Sequence, residues 1–420
     1  MERLRVATRA GDTDLLLRTG ARPKAFQSGG SMRILIAEDD PASRKILTVC
    51  LEKLGYQVVA TTNGLEAWQA MQQADAPKLA ILDWMMPEID GVEVCRRLRA
   101  INARQQPYLI LLSALGTKED IAKGLDAGAD DYLTKPFNVL ELQARIKVGV
   151  RLLEMQARLR QSMETIEASL LAAGEIQKSL LPKHFIGVGS LEFAWQFVPC
   201  DAIGGDVFNI VPLDAQRVGL YMVDVAGHGP AAAMVSVLVY QLLNATTGIL
   251  ADHTVKPPRI LEPEEVLRIL DGEFPLMRFK RHFTIVYAVF NHATGVLTYS
   301  NAGHCSPMVV DPNAGVTALT TAGTVIGVGA MPFGQESVAL SPGYKVVFCS
   351  DGVEEIADAS NAFFGEEGTK GTLLALQKEP VAALVQGLYD AAMGFAGGHP
   401  PGDDLSILAF EYKGVLPESS

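Results

Sequence analysis

The sequence predicts two folded units of different class joined by a long helix. The first is α/β with a five-stranded parallel sheet. The second is α+β, with layered sheets flanked by helices. Three observations predict this. Short apolar runs alternate with helical segments from Arg33 to about residue 150, the signature of βαβ units. Apolar residues then recur seven apart between residues 150 and 181, which marks a helix with a seam. From Leu191 onward, many short β-like runs are joined by short turns, which favours antiparallel pairing. A length of 420 residues, at about 150 residues per domain, agrees with two or three units.

Residues 1–31 are rich in Arg, Gly, Thr and Ser without sustained periodicity, and are expected to form a disordered extension. The α/β unit is expected over 32–150. Its strands are read as Arg33–Ala37, Gln57–Thr61, Leu79–Leu82, Tyr108–Leu112 and Asp131–Leu133. Pro41 suits the first turn of the first helix, Ile46, Val49, Leu51 and Leu54 give that helix an apolar face, and Gly55 stops it. In the connecting segment 151–182, Leu152, Leu159, Ile166 and Ala173 form one line, with Met163 and Leu170 interleaved. Gln156 weakens this seam and Pro182 closes it. The second unit is expected over 183–413, with a tail at 414–420. Its strands are read at Leu191–Val198, Arg217–Val225, Phe283–Asn291, Val296–Ser300, Lys345–Ser350 and Leu405–Tyr412, and its helices at Pro230–Leu250, Pro263–Arg278 and Val381–Phe395. The segment Phe363–Gly402 is open to two readings, a cover over a site or a surface insertion.

Composition excludes several classes. Lys and Arg number 36 against 48 Asp and Glu, a formal charge of −12, which argues against nucleic acid or an anionic membrane as the main partner. No apolar stretch approaches the roughly 20 residues that span a bilayer. Five scattered cysteines without a C-x-x-C pair indicate a reducing, cytoplasmic setting and no zinc site. His228 and His304 lie in motif loops, where each is read as a structural residue before a site residue. Trp68, Trp84 and Trp195 are read as packing residues.

In a parallel α/β sheet, ligands bind beyond the carboxyl ends of the strands. Glu38 and Asp39 follow the first strand, Asp83 ends the third, Ser113 the fourth, and Lys135 follows the fifth. Three carboxylates at one edge call for a hard cation, and Mg²⁺ suits oxygen ligands. Lys135 and the Ser113 hydroxyl then suit a phosphoryl group on Asp83. On Glu38-Asp39, Asp83 with Met86-Pro87 and Asp90-Gly91, Ser113-Ala114 and Thr134-Lys135-Pro136-Phe137, residues 32–150 resemble a two-component receiver domain. The resemblance implies that Asp83 is the phosphoacceptor, that Glu38 and Asp39 hold Mg²⁺ with it, and that Tyr132 is the aromatic switch partner of Ser113.

A second set of acids stands beside glycines and strands: Asp206 in Gly204-Gly205-Asp206, Asp224 in Val223–Gly229, Asp351 in Ser350-Asp351-Gly352, and Asp403-Asp404 before the last strand. Four such acids suit two adjacent divalent ions, which activate water and neutralise a phosphoryl group. On these motifs, with the lead-in Gly174–Pro182 and Asn301-Ala302-Gly303-His304, residues from about 170 to 412 resemble the PPM-type (protein phosphatase 2C fold) phosphatases of the SpoIIE-like branch. The resemblance implies two Mg²⁺ or Mn²⁺ ions held by Asp206, Asp224, Asp351 and Asp403 with the Val225 carbonyl, and a bridging water as nucleophile. Asp404, Gly205 and Asn209 are secondary candidates. Asn209 stands where the family usually carries a further Asp.

The two resemblances together imply a response regulator. A sensor histidine kinase would phosphorylate Asp83, and a homodimer through the connecting helix would pass the signal on. The output would be dephosphorylation of a phosphoserine or phosphothreonine protein, a STAS-type anti-sigma-factor antagonist by family likeness. Asn209 keeps open a second reading, a phosphorylation-gated sequestering protein.

Overall fold

The computed structural model describes residues 32–101, 106–114, 117–182, 190–329 and 332–414. The extension expected at 1–31, His184, and all but the first residue of the expected tail lie outside the described residues. The chain divides into two compact units between Met163 and Glu164.

In the N-terminal unit, β1 (Arg33–Ala37), α1 (Pro41–Lys53), β2 (Gln57–Thr61), α2 (Gly64–Met71), β3 (Leu79–Asp83), α3 (Gly91–Ala100), β4 (Tyr108–Ser113), α4 (Lys118–Asp126) and β5 (Asp131–Thr134) alternate. The sheet is parallel, in the order β2-β1-β3-β4-β5. β1, β3 and β4 are almost wholly buried, as expected for strands covered on both faces. Asp40, Asn63, Asp90 and Thr117 cap α1 to α4 through their side chains, each satisfying a backbone N–H left open by the first turn.

The fifth helix, α5, runs unbroken over Val139–Lys178, longer than its seam alone indicates. Leu142, Ile146 and Leu153 join the core of the N-terminal unit. No proline or glycine pair interrupts the chain between these residues and the seam, so one helix serves both. Leu152, Leu159, Met163 and Ile166 are exposed.

The C-terminal unit continues with β6 (Leu191–Val198), β7 (Val207–Pro212), β8 (Arg217–Val225), α6 (Pro230–Leu242), β9 (Ala251–Asp252), β10 (Arg259–Ile260), α7 (Pro263–Glu273) and α8 (Leu276–Phe279). There follow β11 (Phe283–Asn291), β12 (Val296–Ala302), β13 (Met308–Asp311), β14 (Gly315–Ala318), β15 (Gln335–Ala339), β16 (Lys345–Cys349), α9 (Asp351–Glu354), α10 (Gly365–Ala375), α11 (Val381–Ala396) and β17 (Leu405–Tyr412). Two antiparallel five-stranded sheets form, β15-β12-β11-β8-β7 and β14-β13-β16-β17-β6. Strand alternation divides the core into layers. Phe208, Met222, Phe290, Phe348 and Phe410 fill the space between the sheets. Tyr221, Val223, Val235 and Leu267 pack the first sheet against α6 and α7. Val347, Ile407, Leu373 and Leu388 pack the second against α10 and α11. Phe363–Gly402 is thus mostly a structural layer built from two helices, with Phe364 edge-on to Phe395 at 5.6 Å. Among the described residues, no helix is long and apolar enough to cross a membrane.

Candidate functional site

The parallel sheet brings the first set of residues to one edge. Oxygens of Glu38, Asp39 and Asp83 lie within 4.8 Å of one another. Lys135 Nζ donates to Glu38 Oε2 at 2.7 Å and sits 3.0 Å from Asp83 Oδ1. Burial raises the pKa of both Glu38 and Asp83, against the pull of Lys135. Burial lowers that of Lys135, but its bonds to these carboxylates outweigh the effect and it is raised. Ser113 is buried at the end of β4, and Tyr132 is buried edge-on to Trp84 at 6.0 Å. Trp84 packs in the core, as its sequence context indicates.

The antiparallel sandwich gathers the second set. Val207 pairs with Val223, so Asp206, just before β7, comes to the end of β8 that carries Asp224. Cys349 pairs with Ile407, so Asp351, after β16, comes to the end where Asp403 and Asp404 lead into β17. The two sheets are tied there. Ser406 Oγ donates to Asp206 Oδ2 at 2.6 Å. Asp404, 1 % exposed, accepts from the backbone N–H of Cys200 at 2.9 Å, Gly205 at 2.5 Å and Asp206 at 3.1 Å. A Cβ on Gly204 would fall 2.1 Å from Asp404 Oδ2, so only glycine allows this approach.

These acids feel one another. Burial and then Asp224 and Asp404 hold Asp206 well above the usual carboxylate range. Burial, then Asp351, Asp403 and Asp404, push Asp224 up to about 7. Burial and Asp403 raise Asp351 to about 6. A partly buried set of hard oxygen donors that must otherwise take up protons fits divalent cations.

Other expected residues fall elsewhere. Asn209 shares a face of β7 with Val207 and pairs with Tyr221, on the face opposite Phe208 and the inter-sheet core. It does not join the acids. His228 is exposed, 3.7 Å from Asp201. His304 is buried, with Nδ1 2.7 Å from Thr284 Oγ1, and Thr284 is the cross-strand partner of Asp224. Burial lowers the His304 pKa to about 4. One neighbour escapes any spacing rule. Cys200 lies within 4.8 Å of Asp403 and Asp404. Burial and Asp404 push its thiol up to about 12. Ser406 closes the Asp403-Asp404-Leu405-Ser406 motif in the sequence, but its bond to Asp206 shows only in the fold.

Comparison with known proteins agrees with both halves. Residues 34–147 match the response regulator receiver domain, and residues 214–413 match Stage II sporulation protein E (SpoIIE). The chain is 43% identical over 119 residues to the DNA-binding dual master transcriptional regulator RpaA of Synechocystis, covering 28% of this chain and 49% of RpaA. It is 47% identical over 120 residues to the response regulator MprA of Mycobacterium leprae, covering 29% and 51%. The chain thus spans about half the length of these relatives. The SiaA-PP2C domain of Pseudomonas aeruginosa superposes with a TM-score of 0.51 at 22% identity, covering 60% of this chain and 98% of that one, which is a likeness of fold. The SpoIIE match begins after Gly204–Asp206, but the sandwich joins those residues to the matched acids. Residues 34–147 are thus a response regulator receiver domain, and residues 214–413, on the same chain, are a domain of the SpoIIE family.

Proposed function

We propose that the chain is a response regulator whose output is dephosphorylation of phosphoserine or phosphothreonine on a partner protein. One observation carries this reading: acids from four separate stretches, contributed by both sheets, meet at one end of the sandwich, buried or half-buried and each feeling the charge of the others. Asp206, Asp224, Asp351 and Asp403 with the Val225 carbonyl would hold two Mg²⁺ or Mn²⁺ ions, and Glu38, Asp39 and Asp83 would hold Mg²⁺ in the receiver. Such ions neutralise phosphoryl oxygens and lower the pKa of water. Asp404 serves as a brace, accepting backbone N–H groups at both of its oxygens.

In the receiver, Asp83 attacks a phosphoryl group delivered by a sensor histidine kinase. Lys135 balances the charge, and Ser113 and Tyr132 report it. The functional division follows 32–150, the helix to 182, and 183–413. The partner is a STAS-type anti-sigma-factor antagonist by family likeness, and the setting is cytoplasmic. The sequestering alternative would rest on Asn209, which lies on the face opposite the acids.

The test is Mn²⁺-dependent hydrolysis of a phosphoserine protein by the full chain. Asp224→Asn and Asp351→Asn are expected to abolish turnover while leaving the circular dichroism spectrum intact. Unchanged turnover in either would refute the metal assignment.

A further inference from the structure

A cluster of carboxylates that gathers cations is a poor receptor for a phosphate dianion. Asp206, Asp224, Asp351, Asp403 and Asp404 carry five formal negative charges, and even two divalent ions leave that set short of positive charge. A substrate phosphate therefore needs a further cation at the rim. We infer that Arg281 is that cation, a substrate-binding residue that grips the phosphate of the phosphoserine or phosphothreonine. The inference rests on the phosphatase reading above.

The geometry is specific. Arg281 immediately precedes His282 and β11, and the backbone there is tied to the strand that carries Asp224. Ala226 N–H donates to the His282 carbonyl at 3.1 Å, and Phe283 pairs with Val225. Among the described residues the guanidinium makes one hydrogen bond, from Nη1 to the Ala226 carbonyl at 2.5 Å. Ala226 is two residues beyond Asp224. Arginine has five N–H donors in a planar fork, so the anchor fixes the group and leaves four donors. Arg281 forms no salt bridge among the described residues. Gly227 makes room for it. Its φ is 83°, and a Cβ there would lie 2.8 Å from Arg281 Nη1. The glycine thus serves two ends, the left-handed backbone and the seat of the guanidinium. Lys280, exposed at the C-cap of α8, adds to the positive rim. A planar fork beside an acid site matches phosphate in a way a lysine does not.

The test uses the full chain loaded with Mn²⁺, with two readouts. Titration calorimetry measures the affinity for inorganic phosphate, and steady-state kinetics measures KM and kcat on a phosphoserine peptide. Arg281→Ala is expected to weaken phosphate binding about tenfold, the worth of one charge-assisted hydrogen bond. KM should rise in proportion, with kcat changed less. Arg281→Lys, which keeps the charge and loses the fork, should fall between. Mn²⁺ affinity should be the same in all three proteins. Equal phosphate affinity in Arg281→Ala and the parent would overturn the assignment. So would a parallel loss of Mn²⁺ binding, because Arg281 would then only support the Asp224 loop. A parent that binds phosphate through Arg281 yet hydrolyses no phosphoserine would leave this site standing and remove the phosphatase reading instead.

Discussion

Asp403 and Asp404 are adjacent in sequence and identical in chemistry, yet the structure gives them different work. Asp404 is buried and takes three backbone N–H bonds that fix Gly205 and Asp206. Removing it strands those donors, at about 1–3 kcal/mol each. Asp404→Ala should therefore lower the melting temperature sharply, while Asp403→Asn should keep the melting temperature and lose Mn²⁺ affinity. Calorimetric melts with and without Mn²⁺ separate the two, and similar melts for both variants would contradict the brace. His304 makes a second prediction. Burial holds its folded pKa near 4, below the ordinary value of 6.5. Stability linked to the neutral ring is therefore complete above pH 6.5 and is lost as pH falls from there towards 4. The shift is worth about 3 kcal/mol at most. Between pH 7 and 4.5 the parent should lose more stability than His304→Gln, measured by urea unfolding. Parallel pH curves would show that His304 is not buried neutral.

Elements differ in how openly the sequence displayed them. All five strands of the parallel sheet were legible to within a residue, because each carries a short apolar run between polar turns. The long antiparallel strands β6, β8, β11 and β17 were equally plain. Short edge strands were not. β14 reads Gly-Val-Thr-Ala and β15 Gln-Glu-Ser-Val-Ala, each exposing one side and carrying little apolar signal. β7 hid behind Asn209 and Pro212, and α10 behind three glycines. Of the acid site, the four ligand candidates were legible from their motifs. The Asp404 brace and the Ser406 bond were not, since both depend on which strands close the sandwich. The seam of α5 gives a prediction at this scale. Leu159, Met163 and Ile166 are 64 %, 62 % and 56 % exposed, more apolar surface than a solvated helix needs. If a second copy covers them, Leu159→Glu with Ile166→Glu should turn a dimer into a monomer in sedimentation velocity. An unchanged sedimentation coefficient would rule the seam out as the contact.

On the proposed reading, the whole molecule joins two phosphorus chemistries on one chain, one that stores a phosphoryl group and one that removes it. Their coupling is measurable. Acetyl phosphate should label the parent and not Asp83→Asn, and label retained by the variant would move the acceptor elsewhere. Beryllofluoride, bound at Asp83 as a phosphate mimic, should change the Mn²⁺-dependent rate in the parent and not in Asp83→Asn. An identical rate with and without the mimic would mean that the two domains do not communicate.

The Asp404 brace has one more consequence, for the birth of the protein. β17 pairs with β6, the first strand of the C-terminal unit, and the carboxylate just ahead of β17 closes the loop that carries Asp206. The sheet is therefore sealed by its last strand against its first, a contact of long sequence separation and slow closure. On the ribosome, Asp206 and Asp224 emerge long before the strand that completes their surroundings. If the proposed function holds, the nascent chain would finish its receiver and present Asp83 to a kinase while its hydrolytic centre is still unassembled, so each new molecule would be able to receive a signal before it could act on one.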